Sequence, residues 1–223
     1  MQKFHIGGIT PFTSIDFPEK LSCVFYFQGC VFRCPYCHNA EFQEKKEAKY
    51  SFSEVADFLK ERVGLLDAVV FSGGEPLLFV NELSELASFA KKKGFLVGLH
   101  TTGYSPEKLR KLIDEKLVDW VGIDLKSHKD FYPEASGVKK NFFPETIESI
   151  KLLKEQNVDF EVRTTVYKDI ADKNSIENIL SVYEKLGVNP VFQVYSENGK
   201  RDTEILAFLN NFLKQSPSSF KIR

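Results

Sequence analysis

The stretch Leu21–Asn39, LSCVFYFQGCVFRCPYCHN, joins two patterns that point to one kind of fold. Residues 21–28 are apolar and aromatic, which is typical of a buried β-strand. The loop that follows holds three of the chain's four cysteines, Cys30, Cys34 and Cys37, in the spacing C-x₃-C-x₂-C. A strand that ends in a loop with chemically reactive side chains is typical of α/β proteins, whose sites lie at the carboxyl ends of the strands.

Along the rest of the chain, similar strand candidates alternate with helix candidates. The further strand candidates are 68–73, 95–101, 119–125, 158–166 and 191–195, and the helix candidates are 53–63, 81–93, 105–116, 144–156, 174–186 and 203–214. Ser53, Asn81, Ser105 and Asn174 stand where helix caps are expected. Strand–helix repetition predicts parallel strands joined by crossover helices. Two architectures fit, an open doubly wound sheet and a partial (β/α)₆ TIM-like barrel with an open lateral mouth.

Polar residues at the ends of the predicted strands indicate one shared site. They are Ser72-Gly73-Gly74-Glu75-Pro76, His100-Thr101-Thr102-Gly103, Asp124-Leu125-Lys126, Arg163 with Thr165, and Gln193 with Tyr195. Because the carboxyl ends of parallel strands lie at the same edge of a sheet, we expect these side chains to converge. In the predicted strand 158–166, alternation places Glu161, Arg163 and Thr165 on one face. In the predicted strand 119–125 and the residue after it, one face carries Trp120, Gly122, Asp124 and Lys126. The sequence therefore predicts a polar inner face.

Composition excludes several classes of protein. The 223 residues are 43% hydrophobic and 27% charged, with a net charge of −1, which does not suit a nucleic-acid binder or a membrane-surface protein. No apolar run approaches the ~20 residues of a membrane helix, and residues 1–12 lack the core of a signal peptide. We therefore expect a cytoplasmic protein with no nucleic-acid or membrane partner. In that compartment thiols stay reduced, so crowded cysteines indicate a metal or redox site.

The three thiols have three readings. They can hold three corners of a four-iron, four-sulfur cluster and leave one iron open, although most such clusters take four thiolates. A structural zinc would need a fourth ligand, and His38 directly follows Cys37, which is awkward around one tetrahedral ion. Unligated thiols are the third reading. Cys23 lies among apolar strand residues and is expected to be a small buried hydrophobe.

The cysteine spacing, with Tyr36 before the last cysteine, resembles the radical S-adenosylmethionine family, and Gly73-Gly74-Glu75-Pro76 resembles the family's GGE motif. The family's usual core is the partial (β/α)₆ barrel, so the resemblance favours that architecture. It implies that Cys30, Cys34 and Cys37 hold a [4Fe-4S] cluster whose open iron binds the methionine part of S-adenosylmethionine. The reduced cluster would cleave that molecule to methionine and a 5′-deoxyadenosyl radical, which abstracts a hydrogen atom. One radical SAM domain over 1–223 is expected, with an extension at 1–20 and a C-terminal helix and tail at 203–223.

The resemblance also implies roles for cofactor-binding residues. Glu75 would accept the ammonium group of S-adenosylmethionine, and Gly73 and Gly74 would let the backbone approach it. The other implied contacts are Lys126 and Arg163 with a carboxylate, Asp124 with Lys126 or a cation, Thr101 and Thr102 with ribose or carboxylate, and Tyr36 with the cofactor. His100 departs from the pattern, since activating enzymes often carry an acidic residue of a monovalent-cation site there.

A narrower resemblance concerns the run before the first predicted strand. Ser14, Asp16, Phe17, Pro18, Lys20, His38 and Asn39 match a motif of the activating proteins of anaerobic ribonucleoside-triphosphate reductase. This implies that the chain makes a glycyl radical on that reductase, with an electron from a donor such as flavodoxin or ferredoxin. Asp16 would then hold the incoming glycine at the barrel mouth, although a turn-forming role is the alternative.

Three other functions remain open at this point. The chain could activate a pyruvate formate-lyase-like enzyme, whose activators share a related aspartate and the Cys-His-Asn ending. It could be a small-molecule radical enzyme such as a carboxy-deazaguanine synthase. It could also be a scaffold that binds zinc or a cluster without catalysis.

Overall fold

A computed structural model of the chain describes residues 3–47, 49–197, 199–215 and 220–223. In chain order its elements are β1 (Lys3–Thr13), β2 (Ser22–Phe27), β3 (Tyr50–Ser51), α1 (Phe52–Lys60), β4 (Ala68–Gly73), α2 (Val80–Lys92), β5 (Leu96–Thr101), α3 (Pro106–Asp114), β6 (Trp120–Asp124), α4 (Tyr132–Ser136), α5 (Phe143–Glu155), β7 (Asp159–Val166), α6 (Lys173–Leu186), β8 (Val191–Val194), β9 (Ser196–Glu197), β10 (Lys200–Arg201), α7 (Thr203–Gln215) and β11 (Lys221–Ile222). Short 3₁₀ helices lie at Ala40–Phe42, Pro76–Phe79, Lys129–Phe131 and Lys168–Ile170. Within the described ranges, every helix is too short or too polar to cross a lipid bilayer.

The main sheet of the described chain has nine strands in the order β11-β8-β7-β6-β5-β4-β2-β1-β3. Its six central strands, from β2 to β8, are parallel and follow one another in sequence order. β1 pairs antiparallel with β2, and β3 pairs antiparallel with β1. The sheet ends at β11 and β3 and does not close. An unreversed strand order confirms the predicted α/β partial barrel and excludes the doubly wound alternative, in which the order reverses.

Helices cover one face of this sheet. Side chains such as Phe25, Phe71 and Val121 point to that face and form one large buried cluster with residues of α1, α2, α3, α5, α6 and α7. The opposite, inner face has a smaller apolar cluster made by Phe17, Val24, Ala68, Val70 and Trp120. The prediction of a polar inner face is therefore correct only toward the carboxyl ends of the strands. Toward the amino ends the inner face is filled by apolar side chains.

The predicted strands and helices are all present, with the largest boundary error at α1, which ends at Lys60 and not at residue 63. The predicted caps are partly wrong. Ser51, not Ser53, caps α1 in a reciprocal box with Glu54, and Asp172, not Asn174, caps α6. The sequence pattern did not reveal β1, β3, α4, the β9–β10 hairpin or β11. Of these, β1 matters most for the site, because it occupies most of the segment expected to be an extension.

Candidate active site at the carboxyl ends of the strands

A cavity of about 310 Å³ lies at the carboxyl ends of the parallel strands. Of the predicted site residues, its lining includes Asp16, Cys30, Cys34, Cys37, Gly73, Gly74, Glu75, Thr101, Thr102, Asp124, Lys126 and Arg163. Tyr26, Phe32, His38, Asn39, Gln43, Ser72, His100, Thr165 and Gln193 complete it. The expected convergence of strand ends thus occurs, and it gathers thiols, carboxylates and cations around one space.

The cysteine loop leaves β2 and is fixed by backbone hydrogen bonds. Cys30 N donates to Gln43 O over 3.0 Å, and Cys37 N donates to Cys34 O over 3.2 Å, which forms a tight turn between the last two cysteines. Arg33 N donates to Ser136 O over 2.9 Å, which ties the loop to α4. All three thiols of the loop border the cavity, whereas Cys23 is fully buried on the outer face of β2. This arrangement fits a cluster held by three cysteines and excludes Cys23 from it.

The setting of these thiols suits a metal-bound state. Burial, together with the negative charge of Glu75, raises the pKa of the Cys30 thiol to about 12. Burial also raises the pKa of Cys34, against the lowering effect of the Lys126 ammonium. Without a metal, the thiols of Cys30 and Cys34 stay protonated at neutral pH, so iron would replace their protons as it binds.

The zinc reading lacks a fourth ligand in the described residues. His38 Nε2 accepts a hydrogen bond from Ser196 N over 3.3 Å, so that nitrogen is turned toward the β9–β10 hairpin. Among the described residues, no three His, Cys, Asp or Glu side chains are arranged to hold a single metal ion. His38 therefore does not complete a tetrahedral site with the three thiols in this arrangement.

Glu75 is fully buried and accepts four hydrogen bonds. Its Oε1 accepts from Leu77 N over 3.0 Å and from Thr101 Oγ1 over 2.7 Å. Its Oε2 accepts from Thr102 N over 2.8 Å and from Thr102 Oγ1 over 2.7 Å. Burial raises the pKa of Glu75, while these bonds lower it. The hydroxyl groups of Thr101 and Thr102 thus donate to Glu75, and they orient this carboxylate at the cavity.

Gly73 and Gly74, the two glycines before Glu75, let two segments of the backbone pack closely together. A Cβ added to Gly74 would overlap Gly29 O, and one added to Gly73 would overlap the backbone of Phe27. Gly74 N donates to Phe27 O over 2.8 Å, and Glu75 N donates to Gly29 O over 2.9 Å. The missing side chains therefore let the end of β4 lie against the start of the cysteine loop. This is a different reason for the two glycines from the cofactor approach expected from the sequence.

A charged group lines the opposite wall. Asp124 Oδ2 accepts from Lys126 Nζ over 3.1 Å, and its Oδ1 accepts from Arg163 Nη2 over 3.0 Å and Nε over 3.1 Å. Burial raises the pKa of Asp124, but the two cations outweigh it and bring the value to about 2. Lys126 and Arg163 are nearly buried, so two cations share one carboxylate at this wall.

The segment before β2 enters the barrel from the amino ends of the strands. Thr13 pairs with Ser22, the first residue of β2, and Phe17 then packs against Trp120 at 5.6 Å between ring centres. Asp16 lines the cavity, and its Oδ2 accepts from Thr13 Oγ1 over 2.6 Å. Asp16 therefore lines the same cavity as the three cysteines of the loop, and its carboxylate is oriented by Thr13.

His100 holds this segment in place. Its Nε2 lies 2.9 Å from Asp16 O, which can only accept, so Nε2 carries the proton. Burial and the nearby Arg163 guanidinium lower the pKa of His100 to about 3, so the ring is neutral. The sequence marked His100 only as a departure from the acidic pattern. Its role as a donor to Asp16 could not be read from the sequence, because the two residues are 84 positions apart.

Tyr36 does not line the cavity. It is 5% exposed and stacks on Tyr167 with 4.2 Å between ring centres. The ring is thus held by its stacking partner, and its expected cofactor contact stays a prediction.

Comparison with known proteins identifies the family. The model of the Radical SAM superfamily matches residues 24–187. A Methanocaldococcus jannaschii protein, provisionally named a glycyl-radical enzyme activating enzyme, is 37% identical over 180 residues, which cover 78% of this chain and 73% of that protein. The pyruvate formate-lyase 1-activating enzyme of Escherichia coli K12 is 30% identical over 193 residues, which cover 81% of this chain and 76% of that enzyme.

Solved structures share the fold at low sequence identity. The native enzyme anSMEcpe with bound AdoMet aligns with a TM-score of 0.62 and 20% identity, over 88% of this chain and 61% of that one. Streptococcus suis SuiB bound to S-adenosylmethionine aligns with a TM-score of 0.63 and 14% identity, over 90% of this chain and 51% of that one. The chain thus spans about half to three fifths of the length of these structures.

Radical SAM enzymes use a [4Fe-4S] cluster and S-adenosylmethionine, and the cavity described above presents three thiols and both signs of charge to receive them. The family match covers most of the parallel strands, and the curated relatives carry activating-enzyme names. The chain belongs to the radical SAM superfamily and, within it, to the family of glycyl-radical enzyme activating enzymes.

Proposed function

We propose that this protein reductively cleaves S-adenosylmethionine and creates a glycyl radical on anaerobic ribonucleoside-triphosphate reductase. The observation that carries the proposal is the common cavity, which brings Asp16 of the reductase-activator motif together with the cysteine loop and the charged strand ends. The relatives named as activating enzymes support the reaction class. The run from Ser14 to Lys20 supports the choice of reductase.

The two walls of the cavity suit the amino-acid end of S-adenosylmethionine. Glu75 carries a buried negative charge that a ligand ammonium would balance. Lys126 and Arg163 together exceed the charge of Asp124, which leaves one positive charge for a ligand carboxylate. An α-amino acid group is zwitterionic, so opposite walls of opposite charge would bind and orient it.

In this proposal Cys30, Cys34 and Cys37 would hold the cluster, and Glu75, Lys126 and Arg163 in the same cavity would bind the amino-acid end of S-adenosylmethionine. When bound, the cluster and S-adenosylmethionine supply the radical chemistry that removes a hydrogen atom from glycine. The contribution of the protein is to bind and orient, and the apolar floor formed by Phe17 and Trp120 excludes water from the amino ends of the strands. A flavodoxin or ferredoxin in a reducing compartment would supply the electron.

Asp16 is proposed to hold the protein substrate. Its backbone is fixed by His100, and its Oδ2 is oriented by Thr13. The other carboxylate oxygen has no protein hydrogen bond among the described contacts, so it can accept an N–H from an incoming glycyl loop. We expect Asp16→Asn to lower the glycyl-radical yield while iron content and affinity for S-adenosylmethionine stay unchanged. A glycyl-radical yield equal to that of the wild type would reject this role, and Asp16 would keep only its structural hydrogen bond with Thr13.

The decisive experiment uses the reconstituted, reduced protein with S-adenosylmethionine and the anaerobic reductase. We expect the electron paramagnetic resonance spectrum of a glycyl radical, and its loss when the target glycine of the reductase is replaced by alanine. Cleavage of S-adenosylmethionine without a radical on the reductase would reject this partner and retain the enzyme class.

A second candidate is activation of a pyruvate formate-lyase-like enzyme. It is favoured by the 30% identity to the activating enzyme of Escherichia coli and by 26% identity over 224 residues to that of Clostridium pasteurianum. The same spectrum recorded with a pyruvate formate-lyase in place of the reductase separates the two partners.

A further inference from the structure

The base of the cysteine loop is closed by four consecutive carbonyl groups. The carbonyl oxygens of residues 41–44 all accept hydrogen bonds from residues 28–30. Gly29 N donates to Phe42 O over 2.8 Å, and Cys30 N donates to Gln43 O over 3.0 Å. The carbonyls of Glu41 and Glu44, at the two ends of this run, accept their hydrogen bonds from a side chain and not from backbone N–H groups.

That side chain belongs to Gln28. Its Nε2 donates to Glu41 O over 2.9 Å and to Glu44 O over 2.6 Å, so both amide protons are used. The residue is 4% exposed, which makes the two bonds a built part of the interior. Gln28 thereby spans both ends of the returning segment, and the three cysteines lie in the loop between.

Gln28 rests on β1. Its backbone N donates to His5 O over 2.7 Å, and a Cβ added to Gly7 would overlap its Oε1. β1 is itself tied to α2, because Glu82 accepts from His5 N over 2.7 Å and pairs with His5 Nδ1 at 2.8 Å. The space beside Gly7 therefore fixes where the amide of Gln28 points.

We propose that Gln28 is a positioning residue that closes the cysteine loop and keeps its three thiols at the separation a cluster requires. The inference rests on the proposed assignment of Cys30, Cys34 and Cys37 as iron ligands. Without the amide, the carbonyls of Glu41 and Glu44 lose their donors, and the loop is closed by two bonds in place of four. The loop then opens more often, and bound iron is lost through the opened state.

The test compares Gln28→Met with Thr164→Val in the reconstituted full chain. Methionine keeps the length of glutamine and removes both donors. Thr164 is also fully buried and makes two side-chain hydrogen bonds, to Leu125 O over 2.7 Å and with Tyr183 Oη over 2.9 Å, on the outer face of β7. It therefore controls for a general loss of buried hydrogen bonds.

Iron release to a chelator and the melting temperature are measured for both variants. We expect Gln28→Met to release iron about 10-fold faster than the wild type, the factor that two neutral hydrogen bonds support. Thr164→Val should release iron at the wild-type rate at a similar loss of melting temperature. Equal release rates for Gln28→Met and the wild type, or for the two variants, would overturn the proposal.

A second variant covers the case in which Gln28→Met does not fold. Gly7→Ala displaces the amide by its added Cβ, leaves both donors in the chain, and should also release iron faster. Cys34→Ala in the same assay separates the two levels of the inference. If Cys34→Ala retains its iron, the ligand assignment is rejected. If Cys34→Ala loses its iron but Gly7→Ala and Gln28→Met release iron at the wild-type rate, only the role of Gln28 is rejected.

Discussion

Two carboxylates line the cavity in contrasting settings, Glu75 after the end of β4 and Asp124 at the end of β6. On one wall, Glu75 accepts four hydrogen bonds from neutral donors, and burial raises its pKa. On the other wall, Asp124 lies between Lys126 and Arg163, and its pKa is about 2. Glu75 therefore has no cation among its hydrogen-bond donors, whereas Asp124 is shared by two cations. The contrast shows that the partners of a carboxylate, and not the carboxylate itself, decide which ligand group it can receive.

The largest effect is expected at the three thiols of the cysteine loop. Without them the cluster is lost, and with it the iron that would bind S-adenosylmethionine. Cys30→Ala, Cys34→Ala and Cys37→Ala should each lose the cluster. Cys23→Ala should keep it, because Cys23 is buried on the outer face. Iron and sulfide content after anaerobic reconstitution provides the measurement. An equal loss of iron from a folded Cys23→Ala protein would contradict the assignment.

The next effect concerns the stability of the cationic wall. Asp124→Asn leaves two nearly buried cations without a counter-charge, and we expect the free energy of unfolding to fall by roughly 2–4 kcal/mol. The double variant Asp124→Asn with Lys126→Met should recover part of this loss, because one of the two cations is gone. Denaturant unfolding at pH 7 measures both. A double variant less stable than Asp124→Asn would show that the charges are not the cause.

The third effect is on ligand affinity and distinguishes the walls directly. Glu75→Gln and Arg163→Met should each weaken binding of S-adenosylmethionine about 10- to 150-fold, the range for one charge-assisted hydrogen bond. Lys126→Met should have a smaller effect in the same direction. Calorimetric titration measures these affinities.

An analogue that lacks the carboxylate sharpens the same comparison. Decarboxylated S-adenosylmethionine should bind Arg163→Met and the wild type alike, while it still distinguishes Glu75→Gln from the wild type. Unchanged affinity of Glu75→Gln for the full ligand would remove the anionic wall from the proposal.

The last effect is a pH dependence from His100, whose pKa is lowered by burial and by the nearby Arg163 guanidinium. Its folded-state pKa of about 3 lies below the ordinary 6.5, so below pH 6.5 the unfolded chain binds a proton that the folded chain excludes. The free energy of unfolding should therefore fall as pH decreases from 6.5 toward 3, by up to ~1.4 kcal/mol per pH unit for one proton. His100→Asn should lack this part of the slope. Unfolding curves at pH 6.5, 5.5 and 4.5 compare the two, and equal slopes would contradict the buried neutral state.

The sequence predicted the parallel core well because each unit has its own local pattern. β4 is an apolar run followed by glycines, and α3 has Pro106 at its first position after Ser105. β1 escaped prediction for a physical reason. It contains Gly7, Gly8 and Pro11, which weaken a strand pattern, and two register shifts interrupt its pairing with β2. Its stability comes from contacts with distant residues, which a local pattern does not contain.

The sequence predicted which residues line the site better than it predicted how those residues are arranged. Strand ends must meet in a parallel sheet, so Glu75, Asp124 and Arg163 could be gathered from their positions alone. The floor could not, because it depends on how the segment before β2 turns into the barrel. Phe17 reads as an ordinary aromatic residue in the sequence, and only the inner cluster shows that it fills the space above the amino ends.

The unclosed sheet has a topological consequence. A closed ring of strands would leave the cavity open only at the carboxyl ends of the strands, so a partner could approach only along the axis. Here the sheet stops at β11 on one side and β3 on the other, so the strands form an arc with a gap along its length. A folded polypeptide can enter such a gap sideways, as a hairpin, and leave again without being cut or unfolded to its terminus. The open sheet of the described chain thus adds a lateral direction of approach to the one at the carboxyl ends of the strands.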